Sequence, residues 1–189
     1  MPRVVLIGDS IRMGYEPCVR RTLEGAADVL APEENGGPST RVLANLDAWV
    51  IEPAPDVVHL NCGLHDLKRE FGASANAVPL NDYAANVEAV FSRILGETSA
   101  RLVWAATTPV NHAWHHARKD FDRFEEDVVA YNRAAADIAG RLGVAVNDLY
   151  GVVMQAGRDR LLRPDGVHFT DEGSDVLGRA VAEAVRHAL

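Results

Sequence analysis

Sulfur is scarce in this 189-residue chain: two cysteines, Cys18 and Cys62, stand in no metal or redox spacing. They make neither a multi-bridge disulfide framework nor a thiolate cluster, so a reducing, cytoplasmic setting is expected. No apolar run reaches the roughly 18 residues that a spanning helix needs, which excludes membrane insertion through a helix. The opening residues, MPRVVLIGDS, lack the apolar core and small-residue cleavage site of a leader and are expected to enter a strand directly. Basic charge is also in deficit: 19 Lys and Arg against 27 Asp and Glu leave a net charge of −8. That balance argues against nucleic acid or an anionic membrane as partner, because both select basic stripes. Neither GxxxxGK[ST] nor a GxGxxG after the first apolar run is present, so a phosphate-cradling nucleotide binder has no support. With 48% apolar and 24% charged residues, the chain reads as one folded domain over residues 1–189.

What is present is alternation. Apolar, β-branched runs occur at residues 4–7, 56–62, 101–106 and 144–147, with a weaker one at 27–30. Strands apolar on both faces belong to a parallel sheet covered by helices. Between the runs, Tyr83, Val87, Val90 and Ile94 keep a helical spacing, as do Phe124, Val128, Tyr131, Ala135, Ile138 and Leu142. Leu177, Val181, Ala184 and Ala188 repeat it near the C-terminus, after a start signal at Thr170-Asp171-Glu172. The expected fold is therefore α/β, with a central parallel sheet of about five strands. Residues 68–81 and 109–123 fit neither period, and both follow strand ends, where open α/β sheets keep their ligand crevices.

Those strand ends carry the reactive side chains. Ser10 follows Gly8-Asp9 at the exit of the first run, at the positive end of the next helix. A serine in this place also serves as a plain helix cap. Asp165 and His168, in RPDGVHFT, are close enough along one loop for the carboxylate to take the imidazole Nδ1–H, leaving Nε2 as a base. An Asp-Gly turn with a satisfied histidine would look the same. Gly36-Gly37 and Gly63-Leu64-His65-Asp66 follow the second and third strands. Glycine there suits a backbone that offers N–H groups at close range.

In this order, along the whole chain, these segments resemble the SGNH/GDSL hydrolase family. Gly8-Asp9-Ser10 matches its nucleophile block, and Asp165-x-x-His168 its terminal block. Gly37, with Gly36 as the alternative, matches its oxyanion-hole glycine. Gly63-Leu64-His65-Asp66 stands where the family has Gly-X-Asn-Asp, so His65 replaces the usual amide donor. A neutral imidazole has one N–H to offer in either tautomer. Asn61, on the same strand face as Gly63, is the alternative donor. The resemblance implies a flavodoxin-like three-layer α/β/α sandwich. It also implies a serine esterase working through an acyl-enzyme, with Ser10, Asp165 and His168 as triad and no metal or organic cofactor. The expected partner is a small ester such as an O-acetylated sugar. The rivals are a lysophospholipase or thioesterase of the same family, and a catalytically silent ligand-binding domain.

Asp9, Trp114 and His115 are the candidate substrate contacts, with the 112–116 segment read as a loop forming a lid or wall. His112, His115 and His116, with Asp120 nearby, have no specific metal spacing, and no metal is expected there. Lys68, Arg69, Arg118 and Lys119 either draw in an anionic substrate or are solvated surface charge. Trp49 and Trp104 read as core, and Cys62 as a buried, inert thiol.

Overall fold

The computed structural model describes all of residues 1–189. In chain order its first elements are β1 (Arg3–Ile7), α1 (Ser10–Thr22), β2 (Asp28–Leu30), α2 (Ser39–Ala44), a π-helical turn (Asp47–Ile51) and β3 (Val57–Leu60). Then come β4 (Arg69–Glu70), α3 (Leu80–Glu97), β5 (Arg101–Ala105), α4 (His112–His116) and β6 (Phe121–Asp122). The chain closes with α5 (Glu125–Leu142), β7 (Ala145–Asn147), α6 (Leu149–Ala156), α7 (Arg158–Leu161) and α8 (Asp171–Ala188).

Five strands pair in parallel in the order β2-β1-β3-β5-β7. Helix α1 packs on α8, and α3 packs on α2 and α5, so the sheet is covered on two sides. The central strands are apolar on both faces because both faces meet helices: β3 is buried along its length, and β1 and β5 after their first residue. Strand β7 departs from that expectation. It is one of the two edge strands, and Val146 is left 48% exposed.

The apolar helix stripes are buried in α3 and α5 at Tyr83, Val87, Val90 and Ile94, and at Val128, Tyr131, Ala135 and Ile138. In α8 the buried face runs through Leu177, Val181, Ala182 and Val185, while Ala184 and Ala188 are half-buried. Thr170 caps α8 by accepting the Gly173 amide at 3.1 Å. Trp104 is core and Trp49 is half-buried against it.

The two segments outside the strand and helix periods meet each other. Strands β4 and β6 pair antiparallel, Arg69 opposite Asp122 and Glu70 opposite Phe121. The 112–116 segment is the short helix α4, capped by the Asn111 side chain, and not a loop. Lys68 pairs with Glu70 and lies over the Phe121 ring, while Arg69 pairs with Asp127. These two cations are therefore engaged locally.

Candidate active site

Ser10 is the first residue of α1, placed there because β1 ends at Ile7 and Asp9 caps the helix. The Asp9 carboxylate accepts the Ile11 amide at 2.9 Å. Its 2% exposure corrects the expectation that it contacts substrate, since it is consumed in shaping the serine's helix end. The Ser10 amide, the first N–H of α1, has no intramolecular acceptor and stays available.

His168 reaches this helix end from the other end of the chain: its Nε2 lies 2.9 Å from Ser10 Oγ. Its Nδ1 lies 2.6 Å from Asp165 Oδ2, and the other Asp165 oxygen accepts the Val167 and His168 amides at 3.1 and 3.0 Å. Burial works to raise the Asp165 pKa. The bonds from the His168 ring and from the two amides outweigh it, and the carboxyl is pulled down to about 2. Asp165 is thus ionised at neutral pH and holds His168 with Nε2 free to accept from the serine.

The Asp165 turn is braced from beneath. Gly166 sits at φ +73°, and a Cβ there would come within 2.4 Å of the Asn111 carbonyl oxygen, so the close approach of α4 requires glycine. His115 is fully buried, and its Nδ1 donates to the Asp165 carbonyl at 3.2 Å. Burial lowers its pKa, which keeps the ring neutral. His115 therefore supports the turn instead of touching substrate. Trp114 lines a separate hollow with Arg118, Leu162 and Pro164, and the notch at Ser10 does not include it.

On the opposite side of Ser10, the segment carrying Gly36 and Gly37 is held close to β1. The Gly36 amide donates to the Gly8 carbonyl at 3.0 Å, and a Cβ on Gly36 would lie 2.8 Å from that oxygen. The Gly37 amide donates to Asn35 Oδ1 at 2.8 Å, so neither glycine presents a free N–H in this conformation. Asn61 is engaged as well: its amide donates to the Ala105 carbonyl at 2.7 Å and to Thr107 Oγ1 at 3.3 Å. His65, by contrast, is half-buried and its ring makes no hydrogen bond to protein. Burial lowers its pKa against the pull of Asp9, with Arg123, Lys68 and His168 lowering it further, so the ring is neutral with one N–H to give.

Asp66 and two arginines that no motif contains hold this side together. Asp66 accepts the Ser39 amide at 2.9 Å and its hydroxyl at 2.5 Å, tying the His65 turn to the start of α2. Arg12 donates to the carbonyls of Pro32 and Glu34 at 2.9 and 2.8 Å, pinning the glycine segment to α1. Arg123 is buried and donates to the Leu64 carbonyl at 2.6 Å. Burial pushes its pKa down to about 10, against Asp9 and Asp165, so it remains a cation beside His65. Only Asp66, inside the Gly-Leu-His-Asp block, carried a sequence signal. The two arginines look like any surface charge until the chain is folded.

Asp66 gives a pH prediction. Burial raises its carboxyl to about 6, the Ser39 bonds offsetting only part of the effect, while the unfolded chain keeps a value of about 3.9. The folded state binds the extra proton between these values. The contribution is fully present below about pH 4 and is lost as pH rises through about 6. Over that window the stability of wild type relative to Asp66→Asn falls by about 2–3 kcal/mol. Urea denaturation of both proteins at pH 4 to 7 tests this, and parallel pH profiles would refute it.

A notch of about 80 Å³ opens at the serine, lined by Ser10, Ile11, Gly14, Arg163, His168, Phe169 and Ser174. The largest cavity, about 720 Å³, runs along β7 and contains neither Ser10, Asp165 nor His168. Cys62 is buried and its thiol pKa is raised, chiefly by burial, which leaves it inert as expected.

The family model of the GDSL-like Lipase/Acylhydrolase family matches residues 6–176. A search of curated proteins finds no match. Among solved structures, a lipase/acylhydrolase from Enterococcus faecalis superposes with a TM-score of 0.83 at 20% identity, over 99% of this chain and 96% of that one. A GDSL-like lipase from Bacteroides thetaiotaomicron gives 0.75 at 21% identity, over 100% and 89%. An acetylxylan esterase from Geobacillus stearothermophilus gives 0.76 at 16%, over 97% and 94%. At these identities the likeness is one of fold, and it matches the five-stranded parallel sheet described above.

Proposed function

The chain belongs to the GDSL-like lipase/acylhydrolase family and hydrolyses ester bonds, and from that premise we propose a two-step acyl transfer with Ser10 as nucleophile. His168 is the general base and Asp165 its orienting partner. The observation that carries this reading is the unbroken chain Ser10 Oγ to His168 Nε2 to Asp165, at 2.9 and 2.6 Å. Ser10 Oγ bonds to the ester carbonyl carbon while its proton passes to His168 Nε2, and the carbonyl electron pair collects on oxygen. Collapse of this adduct expels the alcohol, which takes the proton from His168. Water then repeats the cycle and releases the acid.

The oxyanion is held by the free Ser10 amide and the His65 ring. The Gly37 amide joins them when the oxyanion displaces Asn35 Oδ1 as its acceptor. His65→Ala therefore lowers kcat by roughly 10²–10³ with little change in KM. Steady-state kinetics on p-nitrophenyl acetate checks this, and an unchanged kcat would remove His65 from the oxyanion hole.

A small acyl group is the proposed substrate, on the reading that the notch beside Ser10 receives it. The notch of about 80 Å³ at Ser10 is far below the roughly 300–1,000 Å³ of pockets that enclose drug-sized ligands. Acetylxylan esterases share the fold, so an O-acetylated sugar is the proposed substrate class. Two unpaired, buried cysteines suit a reducing, cytoplasmic setting. No helix is long and apolar enough to cross a membrane.

Hydrolysis of p-nitrophenyl acetate, butyrate and octanoate tests the reading, and the rate is expected to fall along that series. Octanoate as best substrate would favour the lysophospholipase or thioesterase alternative. No turnover by folded protein, together with no fluorophosphonate labelling, would mean a silent binding domain.

A further inference from the structure

One cluster of ligating atoms lies outside the proposed triad. His112 and His116, four residues apart on α4, share a helix face. His112 Nε2 lies 3.1 Å and His116 Nδ1 2.8 Å from the same Asp122 oxygen, and the three ligating atoms lie within 4.8 Å of one another. We propose that His112, His116 and Asp122 form a binding site for a divalent transition-metal ion, with zinc the best match to two imidazoles and one carboxylate.

Zinc binds imidazole nitrogen and carboxylate oxygen at about 2.0–2.2 Å, so tetrahedral ligands sit about 3.3–3.5 Å apart. The two short separations need to open by roughly half an ångström, and the ligand atoms that lie up to 4.8 Å apart need to close toward that spacing, which side-chain torsions accommodate. A fourth position is left for water.

Several features prepare the three groups. The His112 ring lies on Phe124 at 4.4 Å and the His116 ring on Phe71 at 4.9 Å, so both imidazoles are oriented by packing. Asp122 is held by the β4–β6 ladder with its side chain 13% exposed. Its ladder partner Arg69 is turned to Asp127 and Asn76, at 2.7 and 2.8 Å, and does not neutralise it. Both histidines keep solvent access, which gives an ion its entry. The pattern HxxHH shows nothing of this, because the third ligand comes from another element. Asp120, the nearer acid in sequence to α4, is not part of the cluster. A bound ion would fasten α4, whose His115 braces the Asp165 turn, to β6.

The test is calorimetric titration of EDTA-treated full-length protein with zinc chloride at neutral pH, repeated on His116→Ala, Asp122→Asn and His168→Asn. Wild type is expected to bind one ion with a dissociation constant of about 10 µM or tighter. His116→Ala and Asp122→Asn are expected to weaken binding by about tenfold or more, while His168→Asn is expected to leave it unchanged. Cobalt substitution should give the intense visible bands of a four-coordinate ion in wild type and not in Asp122→Asn. Circular dichroism confirms that each variant is folded, and the milder Asp122→Asn change keeps the test valid if His116→Ala is not. Absence of saturable binding up to about 1 mM zinc would overturn the proposal. So would binding unchanged in both cluster variants, or binding lost in His168→Asn, which would place the ion at the serine instead.

Discussion

Replacing Ser10 with alanine lowers kcat on p-nitrophenyl acetate by roughly 10⁴–10⁶ while leaving KM nearly unchanged. The size of the effect follows from the position of the hydroxyl. It is the hydroxyl 2.9 Å from His168 Nε2, at the positive end of α1 and beside the unpaired Ser10 amide. Water admitted in its place lacks the oriented attack, so what remains is the catalysis supplied by oxyanion donors and binding alone. The fold should not suffer, because the cap of α1 comes from Asp9 and not from the serine. An alanine variant within tenfold of wild type would exclude Ser10 as nucleophile, and loss of fluorophosphonate labelling in the same variant provides the chemical counterpart.

Asp165→Asn is expected to cost roughly 10⁴ in kcat. Asparagine can still accept the Val167 and His168 amides that shape the turn, so the loop closes as before. What changes is the tautomer of His168. An amide nitrogen facing Nδ1 at the present 2.6 Å contact favours the ring with its proton on Nε2, which then has no lone pair for the Ser10 hydroxyl. Because the wild-type carboxyl titrates at about 2, its orienting charge is present throughout the neutral range. Pre-steady-state acylation on p-nitrophenyl acetate separates this loss from a loss of binding. Acylation at more than a tenth of the wild-type rate would show that Asp165 does not set the ring.

Legibility in the sequence tracked how local each feature was. Asp165 and His168 are three positions apart, so covalent geometry alone bounds their distance. Thr170 as a cap and the stripe from Tyr83 to Ile94 are equally local, read from periods of one turn. The helix α4 is not legible in sequence because five residues carry too little periodicity to stand out from a loop. The contact His115 makes is hidden for a different reason. An imidazole beside a tryptophan looks like a binding surface, and nothing nearby in sequence announces that the Asp165 carbonyl will need its proton. Asp9 beside the serine looks like a substrate contact in sequence, and only the folded chain shows that the Ile11 amide claims its carboxylate.

The sequence by itself determined the parallel α/β class and the family resemblance, and it singled out Ser10, Asp165 and His168 as candidates. Each of these is carried by residue type, short spacing or hydrophobic period, which are properties of neighbours along the chain. Only the tertiary structure decided that Ser10 and His168, 158 residues apart, meet within hydrogen-bond distance. It alone showed that Asn35 holds the Gly37 amide, that Arg123 lies buried beside the His65 turn, and that Asp122 joins the α4 histidines. These contacts depend on how β-strand ends and loops are stacked at one rim of the sheet. Burial and packing select among many polar groups there, and their sequence positions carry no record of the choice.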